Sequence, residues 1–414
     1  MNKILSFAEA RHQVEERART VQPGATEVVT LAEAAGRVLA EPVLADRDFP
    51  PFPRSTRDGF AVRAADVVQA PVRLRRVGEI RAGGPLVEIK AGECVEIMTG
   101  APVPAEADAV VMVEHTRSQD HDLVEVLRRV ASGENVVPRG AESLAGAELL
   151  ARGTRLNHQA IAMAASAGYA HIRAFVRPTV AVLATGDELV DVSVAPGPSQ
   201  IRNSNSYSLA AQVHEAGGAA LVLPVARDEA GELRRLIRRG LQADLLLLTG
   251  GVSMGKYDLV EQVLAEFGAE FYFTGAHIQP GKPVVFGSCP AEAAATAAAG
   301  HRNYFFALPG NPISSMVTFE LYARPVLEAL AGMTLRPLLF LQARFKGQFR
   351  TKTGLTRFLP ARLTGEFERC EVEAVEWHGS GDLRAVTQAN AYLVVPPDRE
   401  LISDGDTVSV LPQP

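Results

Sequence analysis

The chain is poor in cysteine, lysine and tryptophan, and what it lacks closes off several classes of protein. Three cysteines (Cys94, Cys289 and Cys370) are spread over 414 residues with no CxxC pair. Neither a disulfide framework nor a thiolate zinc site is encoded, and reduced thiols are expected. The nine histidines form no HExxH or HxxxH pair, which removes the usual helical zinc ligands. No apolar run approaches the ~18 residues of a membrane helix, and Met1 to Glu16 carries charges where a signal peptide needs an apolar stretch. A cytoplasmic protein with no membrane partner is expected. Nor is there an excess of positive charge: 42 basic against 48 acidic residues give a formal charge of −6. No nucleic-acid partner is expected, and an anionic ligand needs a local basic pocket. Apolar residues are plentiful, at 47% hydrophobic with 22% charged, which excludes disorder and collagen-like architecture. At roughly 100–200 residues per domain the length suggests two to four domains.

The pattern changes along the chain. Ser6 with Glu9 forms a capping box for a first helix, and Leu31 to Leu39 repeats apolar residues at helical spacing after Thr30. Phe49 to Pro53 breaks any helix. From Phe60 to Val137, runs such as VRLRRVGEI, ECVEIMTG, ADAVVMVEH and DLVEVLRRV predict β structure with tight turns. LNHQAIAMAASAGY returns to helix, with Asn157 as N-cap and Gly168 as stop. Between 179 and 330 the runs TVAVLAT, AALVLPV, DLLLLTG, AEFYFTG, PVVFGS and YFFALPG are short and almost wholly apolar. The first three alternate with helical stretches at 205–217, 228–241 and 257–267. Buried parallel strands with crossover helices read this way, because both faces of such a sheet are covered. The alanine-rich 290–302 reads as a loop, and Pro325 is expected to kink the helical stretch 312–330. After Pro337 β-like runs resume, fitting a small separate β domain.

Ligands of open parallel sheets bind past the carboxyl ends of strands. Three apolar strands here end in glycine-containing polar loops: LATGDEL (183–189), LLTGGVSMGKYD (247–258) and ALPGNPIS (307–314). Glycine lets backbone N–H groups approach a phosphate, and a following helix adds its positive end. Gly250, Gly255 and Lys256 mimic a P-loop, but Tyr257 stands where a Ser or Thr would bind magnesium. Asp187, Glu188, Asp228 and Asp258 sit at these strand ends, where carboxylates can hold Mg²⁺ against a phosphate; Asp187 and Asp228 could instead cap helices. Asn311–Pro312 is a good helix start with Ser314 in its first turn. QPGKP puts Lys282, one of only six lysines against thirty-six arginines, in a tight turn.

Taken together, STRDGFAVR, IMTGAPVP, ENVVPRGAE, LATGDELV, IRNSNSYSL, LLTGGVSMGKYD, QPGKP and LPGNPISSMVTF resemble the molybdopterin molybdotransferase family, comprising bacterial MoeA proteins and the E domains of gephyrin and its plant counterpart. The eight strings come in the family's order and cover essentially the whole chain. The resemblance implies α/β plus β architecture: a discontinuous stalk (1–45 and 140–177) carrying an inserted β domain (46–139), a doubly wound α/β molybdopterin-binding domain (178–331) and a C-terminal β-barrel (335–414). It also implies a homodimer with the active site between subunits, and a reaction in which adenylylated molybdopterin and molybdate give molybdenum cofactor and AMP. Mg²⁺ is the implied cofactor, and the adenylyltransferase that makes the substrate is a possible partner.

Residue by residue, Asp58, Thr99 and Glu142 match polar residues brought by the partner subunit, and Glu188, Asp228 and Asp258 match the acids of the α/β domain. Asp228 and Asp258 are the magnesium candidates. Lys282, Ser314 and Arg357 resemble residues that receive molybdate, as suits a dianion, and Gly250, Gly251, Ser253, Gly310 and Asn311 would line the pterin-phosphate cleft. Phe60, Glu142 and Gln279 depart from the family's usual Tyr, Asp and Lys, the last weakening the positive cluster. Two rivals remain: the adenylyltransferase itself, and a non-catalytic molybdopterin-binding scaffold or carrier. Tungstate is chemically close to molybdate, and the motifs do not separate them.

Overall fold

The computed structural model describes residues 3–120, 122–251, 259–290, 302–367 and 369–413. The second glycine loop from Val252 to Asp258, with its P-loop-like Gly255–Lys256, and most of the alanine-rich stretch lie outside them.

The central sheet has six strands in the order Ala219–Val222, Thr179–Ala184, Leu245–Thr249, Arg302–Leu308, Val285–Pro290, Glu270–Phe273. The first four are parallel neighbours. Their apolar runs are continuous because the two faces need alternate residues. Val180, Val182, Leu245, Leu247, Phe306 and Leu308 enter one core, and Ala181, Leu183, Leu246, Leu248, Phe305 and Ala307 enter the other. Leu245 to Leu248 are each 0% exposed, at roughly 1.5–3 kcal/mol per buried leucine. Val285–Pro290 departs from the parallel expectation: it runs antiparallel to both neighbours. The helices Asn205–Glu215, Ala230–Gly240 and Leu259–Glu266 follow three of the strands.

The segment 54–137 forms a second six-stranded sheet, ordered Ala109–Met112, Gly59–Val62, Glu93–Ile97, Val72–Ile80, Leu123–Val126, Thr116–Asp120. On either side of it in sequence, Thr26–Thr30 pairs with His171–Phe175 and Val43–Leu44 with Glu148–Leu150, over a small core that includes Leu39, Leu156 and Ile172. The Asn157 side chain caps the helix His158–Ser166 by accepting from the Ala160 N–H at 2.9 Å, and Gly168 (φ +81°) follows it. The helix expected over Leu31–Leu39 shrinks to a single 3₁₀ turn, Leu31–Glu33; Gly36 at φ +73° turns the chain away.

Beyond residue 340 the strands Leu341–Lys346, Thr356–Glu366, Arg369–Ala374, Ala391–Val395 and Thr407–Pro412 close into a barrel, Thr356–Glu366 pairing with both Arg369–Ala374 and Ala391–Val395. Closure leaves no free edge among them. The α/β domain lends it the short strand Ile278–Gln279, with Gln279 beside Arg357.

Helix Phe7–Thr20 carries the expected capping box. It buries Ala10, Val14 and Ala18 in the α/β core, and Arg11 donates to the Leu321 carbonyl at 2.5 Å. Ile4–Leu5 runs parallel to Gly275–Ala276. The expected kink near Pro325 takes the form of a π-helical turn, Phe319–Ala323, ahead of helix Arg324–Leu330.

Candidate active site

The chain leaves Thr179–Ala184 toward Ala219–Val222 on one side of the sheet and returns to Leu245–Thr249 on the other. The loops past these strands therefore part at a topological switch point, where doubly wound sheets bind ligands. A cleft of about 790 Å³ opens there. It is lined by Thr185 and Glu188 from the first loop, Thr249 to Gly251 from the second and Pro309 to Pro312 from the third, with Asn203 to Asn205 and Pro283. The three glycine-bearing loops thus meet, as their sequences predict.

Gly250 and Gly251 are required by local geometry. At φ +88° and +66° both backbones are in the left-handed region. A Cβ on Gly250 would stand 2.3 Å from the Thr185 carbonyl oxygen, and one on Gly251 2.6 Å from the Thr185 hydroxyl. The second loop is pressed onto the first, and Gly310 packs on Gly250 in turn. Helix Asn205–Glu215 starts in the cleft. Asn205 donates to the Thr249 hydroxyl (2.9 Å) and the Gly310 carbonyl (2.8 Å), tying the helix start to two loops. The Thr185 hydroxyl and the Asn205 side-chain oxygen are buried there without a partner among the described residues. A buried orphan costs about 1–3 kcal/mol, so the junction of these loops is incompletely paired.

Of the acids, Glu188 lines the cleft and Asp228 stands beside it. The Asp228 N–H donates to the Asp187 carboxylate at 3.3 Å, and Arg227 donates to the Asp187 carbonyl at 2.9 Å. Partial burial, then the carboxylates of Asp187 and Glu188, push the Asp228 carboxyl above its ordinary value. Neither aspartate caps a helix: the residue before Ala230–Gly240 is Glu229, and no helix directly follows Asp187. Among the described residues no three His, Cys, Asp or Glu stand close enough to enclose a metal. The raised Asp228 marks uncompensated negative charge of the kind a divalent cation relieves. This fits Mg²⁺, which takes one or two carboxylates and completes its shell with phosphate oxygens and water. Asp258 and Ser253 lie outside the described residues.

The expected oxyanion residues cluster next to the cleft. Arg357 is 5% exposed; its Nε donates to the Gln279 side chain at 2.9 Å and its Nη1 to the Leu355 carbonyl at 3.1 Å. Burial lowers its pKa below the ordinary guanidinium value. Gly281 (φ +107°) lets the 279–283 turn nest on helix Pro312–Thr318, where a Cβ would lie 2.4 Å from the Thr318 methyl and 3.6 Å from the Ser314 carbonyl oxygen. Lys282 is half-buried in that turn and Ser314 is buried in the facing helix. Asn311 is the N-cap residue without a side-chain cap bond. Its amide donates instead to the Ser380 hydroxyl at 2.8 Å, and the Ser380 carbonyl accepts from the Ile313 N–H. Gly381 and Leu383 of the same barrel loop join the cleft wall.

Asp58, Thr99 and Glu142 do not line the cleft of their own chain. Asp58 accepts from the Thr99 N–H (2.7 Å) and hydroxyl (2.9 Å), which together hold its carboxyl below the usual range. Glu142 pairs with Arg54 at 2.9 Å. Motif reading passed over Thr185, Asn203, Asn205, Thr249 and the Ser380–Leu383 loop. The string IRNSNSYSL, polar residues massed at a helix start, was the available signal for the asparagines.

Fold and cleft define a class: a multidomain protein built on a doubly wound α/β ligand-binding domain, with one β domain before it and a β-barrel after it. Residues 5–168 match the family model of the MoeA N-terminal region (domains I and II), 181–329 that of a probable molybdopterin-binding domain, and 342–413 that of the MoeA C-terminal region (domain IV). The chain is 35% identical to the molybdopterin molybdenumtransferase of a Nostoc species, over 94% of this chain and 89% of that one. It is 32% identical to the enzyme of the same name from Bacillus subtilis, over 94% and 90%. The crystal structure of a molybdopterin biosynthesis MoeA protein from Pyrococcus horikoshii is similar over 99% of this chain and all of that one, with a TM-score of 0.77 at 26% identity. The chain belongs to the MoeA family, that of the molybdopterin molybdenumtransferases.

Proposed function

We propose that the chain transfers molybdenum from molybdate to adenylylated molybdopterin, releasing AMP, in the last step of molybdenum cofactor synthesis. The observation that carries this reading is the switch-point cleft, with its glycine-lined floor and flanking acids and cations, in a chain similar along 94% of its length to relatives of that activity. The stretches 1–45 with 140–177, 46–139, 178–331 and 335–414 serve as its domains.

In this reading Gly250, Gly251, Ser253, Gly310 and Asn311 hold the pterin phosphate with backbone N–H groups and a carboxamide. Glu188 orients the substrate. Asp228 and Asp258 hold Mg²⁺, which when bound neutralises charge on the pyrophosphate that is cleaved. Lys282, Ser314 and Arg357 receive molybdate. With Nε and Nη1 of Arg357 already engaged, its remaining nitrogen, which has no hydrogen bond among the described residues, faces the oxyanion, and Gln279 aims it. Asp58, Thr99 and Glu142 enter from the partner subunit of a homodimer. Positioning and charge stabilisation carry the rate, without a covalent enzyme intermediate. The setting is cytoplasmic, next to the adenylyltransferase that supplies the substrate.

The test incubates the purified protein with adenylylated molybdopterin and Mg²⁺, with and without molybdate, and follows AMP by chromatography. AMP is expected only with molybdate. Tight binding without AMP release would overturn the reading in favour of a carrier, and turnover of ATP with molybdopterin would favour the adenylyltransferase.

A further inference from the structure

One lip of the cleft is apolar and open to solvent. It belongs to a small arm in which Leu189–Val190, just past Glu188, runs parallel to Ile201–Arg202, just before Asn203. The Ile201 N–H donates to the Glu188 carbonyl and the Asn203 N–H to the Val190 carbonyl, both at 2.9 Å, so the arm is anchored to the residues that wall the cleft. Leu189 and Ile201 are register partners, and both line the cleft. Successive strand residues face opposite sides. Val190, the register partner of Arg202, accordingly faces away and does not line the cleft. The Arg202 side chain folds back along the arm, its Nε donating to the Val194 carbonyl at 3.1 Å. Hydrocarbon is therefore what the arm presents to the cleft, and Ile201 is 58% exposed there, although isoleucine is among the residues most often buried.

The order of the sheet decides what this hydrocarbon meets. Thr179–Ala184, Leu245–Thr249, Arg302–Leu308 and Val285–Pro290 are successive neighbours. Because the last is antiparallel, its beginning lies at the same end as the carboxyl ends of the other three. The cleft therefore runs from the apolar lip past Gly250–Gly251 and Gly310–Asn311 to the turn of Lys282 and Pro283, three strand spacings or about 14 Å in all. Adenylylated molybdopterin is likewise linear: a pterin bearing the dithiolene, then two phosphates, then adenosine. With the dithiolene at the cations that receive molybdate and the phosphates over the glycines, the adenosine reaches the lip. Leu383, the other leucine of the cleft, comes from the barrel loop bonded to Asn311 and serves the opposite end.

We infer that Leu189 and Ile201 seat the adenine ring of the substrate, which lies flat against the two side chains. Neither offers a hydrogen bond, so the ring is held by contact area and its edge is not read by them. The assignment rests on the transferase reading, and gives the arm of 189–202 the task of fixing the leaving nucleotide while the metal is inserted at the far end.

The test compares AMP with ribose 5-phosphate, which keeps the phosphate and sugar but lacks the base, on the full-length protein. AMP should bind the parent more tightly. Ile201→Ser, at an exposed position where folding is little at risk, should weaken AMP about fivefold, since about half of that side chain remains to be covered. Ribose 5-phosphate should bind the variant as it binds the parent, and Leu189→Ser should act in the same way. In methyl-labelled parent protein the Ile201 resonance should shift with AMP and stay in place with ribose 5-phosphate, a readout that depends on no variant folding. In turnover Ile201→Ser should raise the KM for adenylylated molybdopterin about fivefold and leave that for molybdate unchanged. AMP affinity untouched by Ile201→Ser, an Ile201 methyl indifferent to AMP, or a shift with 6-hydroxymethylpterin in place of AMP would overturn the inference. Those results leave AMP release by the parent intact, whereas a parent that releases no AMP overturns the transferase reading and this assignment with it.

Discussion

Replacing Gly250 by alanine tests whether the cleft floor is built as described. Two costs are involved. The first is backbone: at φ +88° a side chain adds about 1–2 kcal/mol. The second is steric. The new Cβ would stand 2.3 Å from the Thr185 carbonyl, against 3.4 Å for the start of ordinary contact, so one backbone must retreat by about 1 Å. That carbonyl cannot swing away cheaply, because the adjacent Thr185 N–H is bonded to Thr249 at 2.9 Å. Forced overpacking of this kind costs about 1–3 kcal/mol, giving about 2–5 kcal/mol in all. Gly217 is the control: its φ is +93°, but nothing lies within 4 Å of its Cβ position. Gly217→Ala should cost only the backbone term. Amide hydrogen exchange over 245–249 and 219–222, followed by mass spectrometry, reads both variants locally. Equal losses for the two would refute the close packing of the two loops.

Other consequences are as direct. Asp228→Asn should leave folding intact or slightly firmer at neutral pH, since a carboxyl with a raised pKa opposes folding once ionised above that pKa. The same variant should lose Mg²⁺-dependent AMP release, and in the parent Mg²⁺ affinity should begin to fall, as pH drops, higher than an ordinary aspartate would dictate; unchanged Mg²⁺ dependence in the variant would sink the metal assignment. Arg357→Lys keeps the charge but not the fork bonded to Gln279 and Leu355, so the KM for molybdate should rise tenfold or more, about 1.4 kcal/mol, with the pterin substrate little affected. Burial pushes the Cys94 thiol up to about 12 and Cys289 up to about 11. At pH 8 iodoacetamide should therefore modify the exposed Cys370 alone, as intact-protein mass spectrometry would show.

What could be read from the sequence was whatever is local. DLLLLTG and YFFALPG announce strands covered on both faces, and Gly250 and Gly310 announce tight approaches. Strand direction is not local: VVFGSC reads the same whether it runs parallel or, as it does, antiparallel. The reach of the barrel loop to Asn311 was also invisible, since Ser380 lies 69 residues from it. Thr185 and Asn205 stood inside the quoted strings, but only the crossing of three loops makes their orphaned oxygens matter. The helix expected at Leu31–Leu39 failed for a local reason: its apolar spacing was right, and Gly36 carried more weight than the periodicity allowed.

The thread that joins Ile4–Leu5 to Gly275–Ala276 bears on how this chain is made. Ile4 and Leu5 find their sheet partners only after about 270 further residues have been added, roughly 15–50 s at 5–20 residues per second. Meanwhile helix Phe7–Thr20 holds Ala10, Val14 and Ala18 for a core that does not yet exist. The β domain of 54–137 can complete itself during that interval, whereas the α/β domain must wait for both ends of its own stretch of chain. A growing polypeptide of this design leaves the narrow apolar face of an otherwise charged helix uncovered until the strands of the α/β domain have been made.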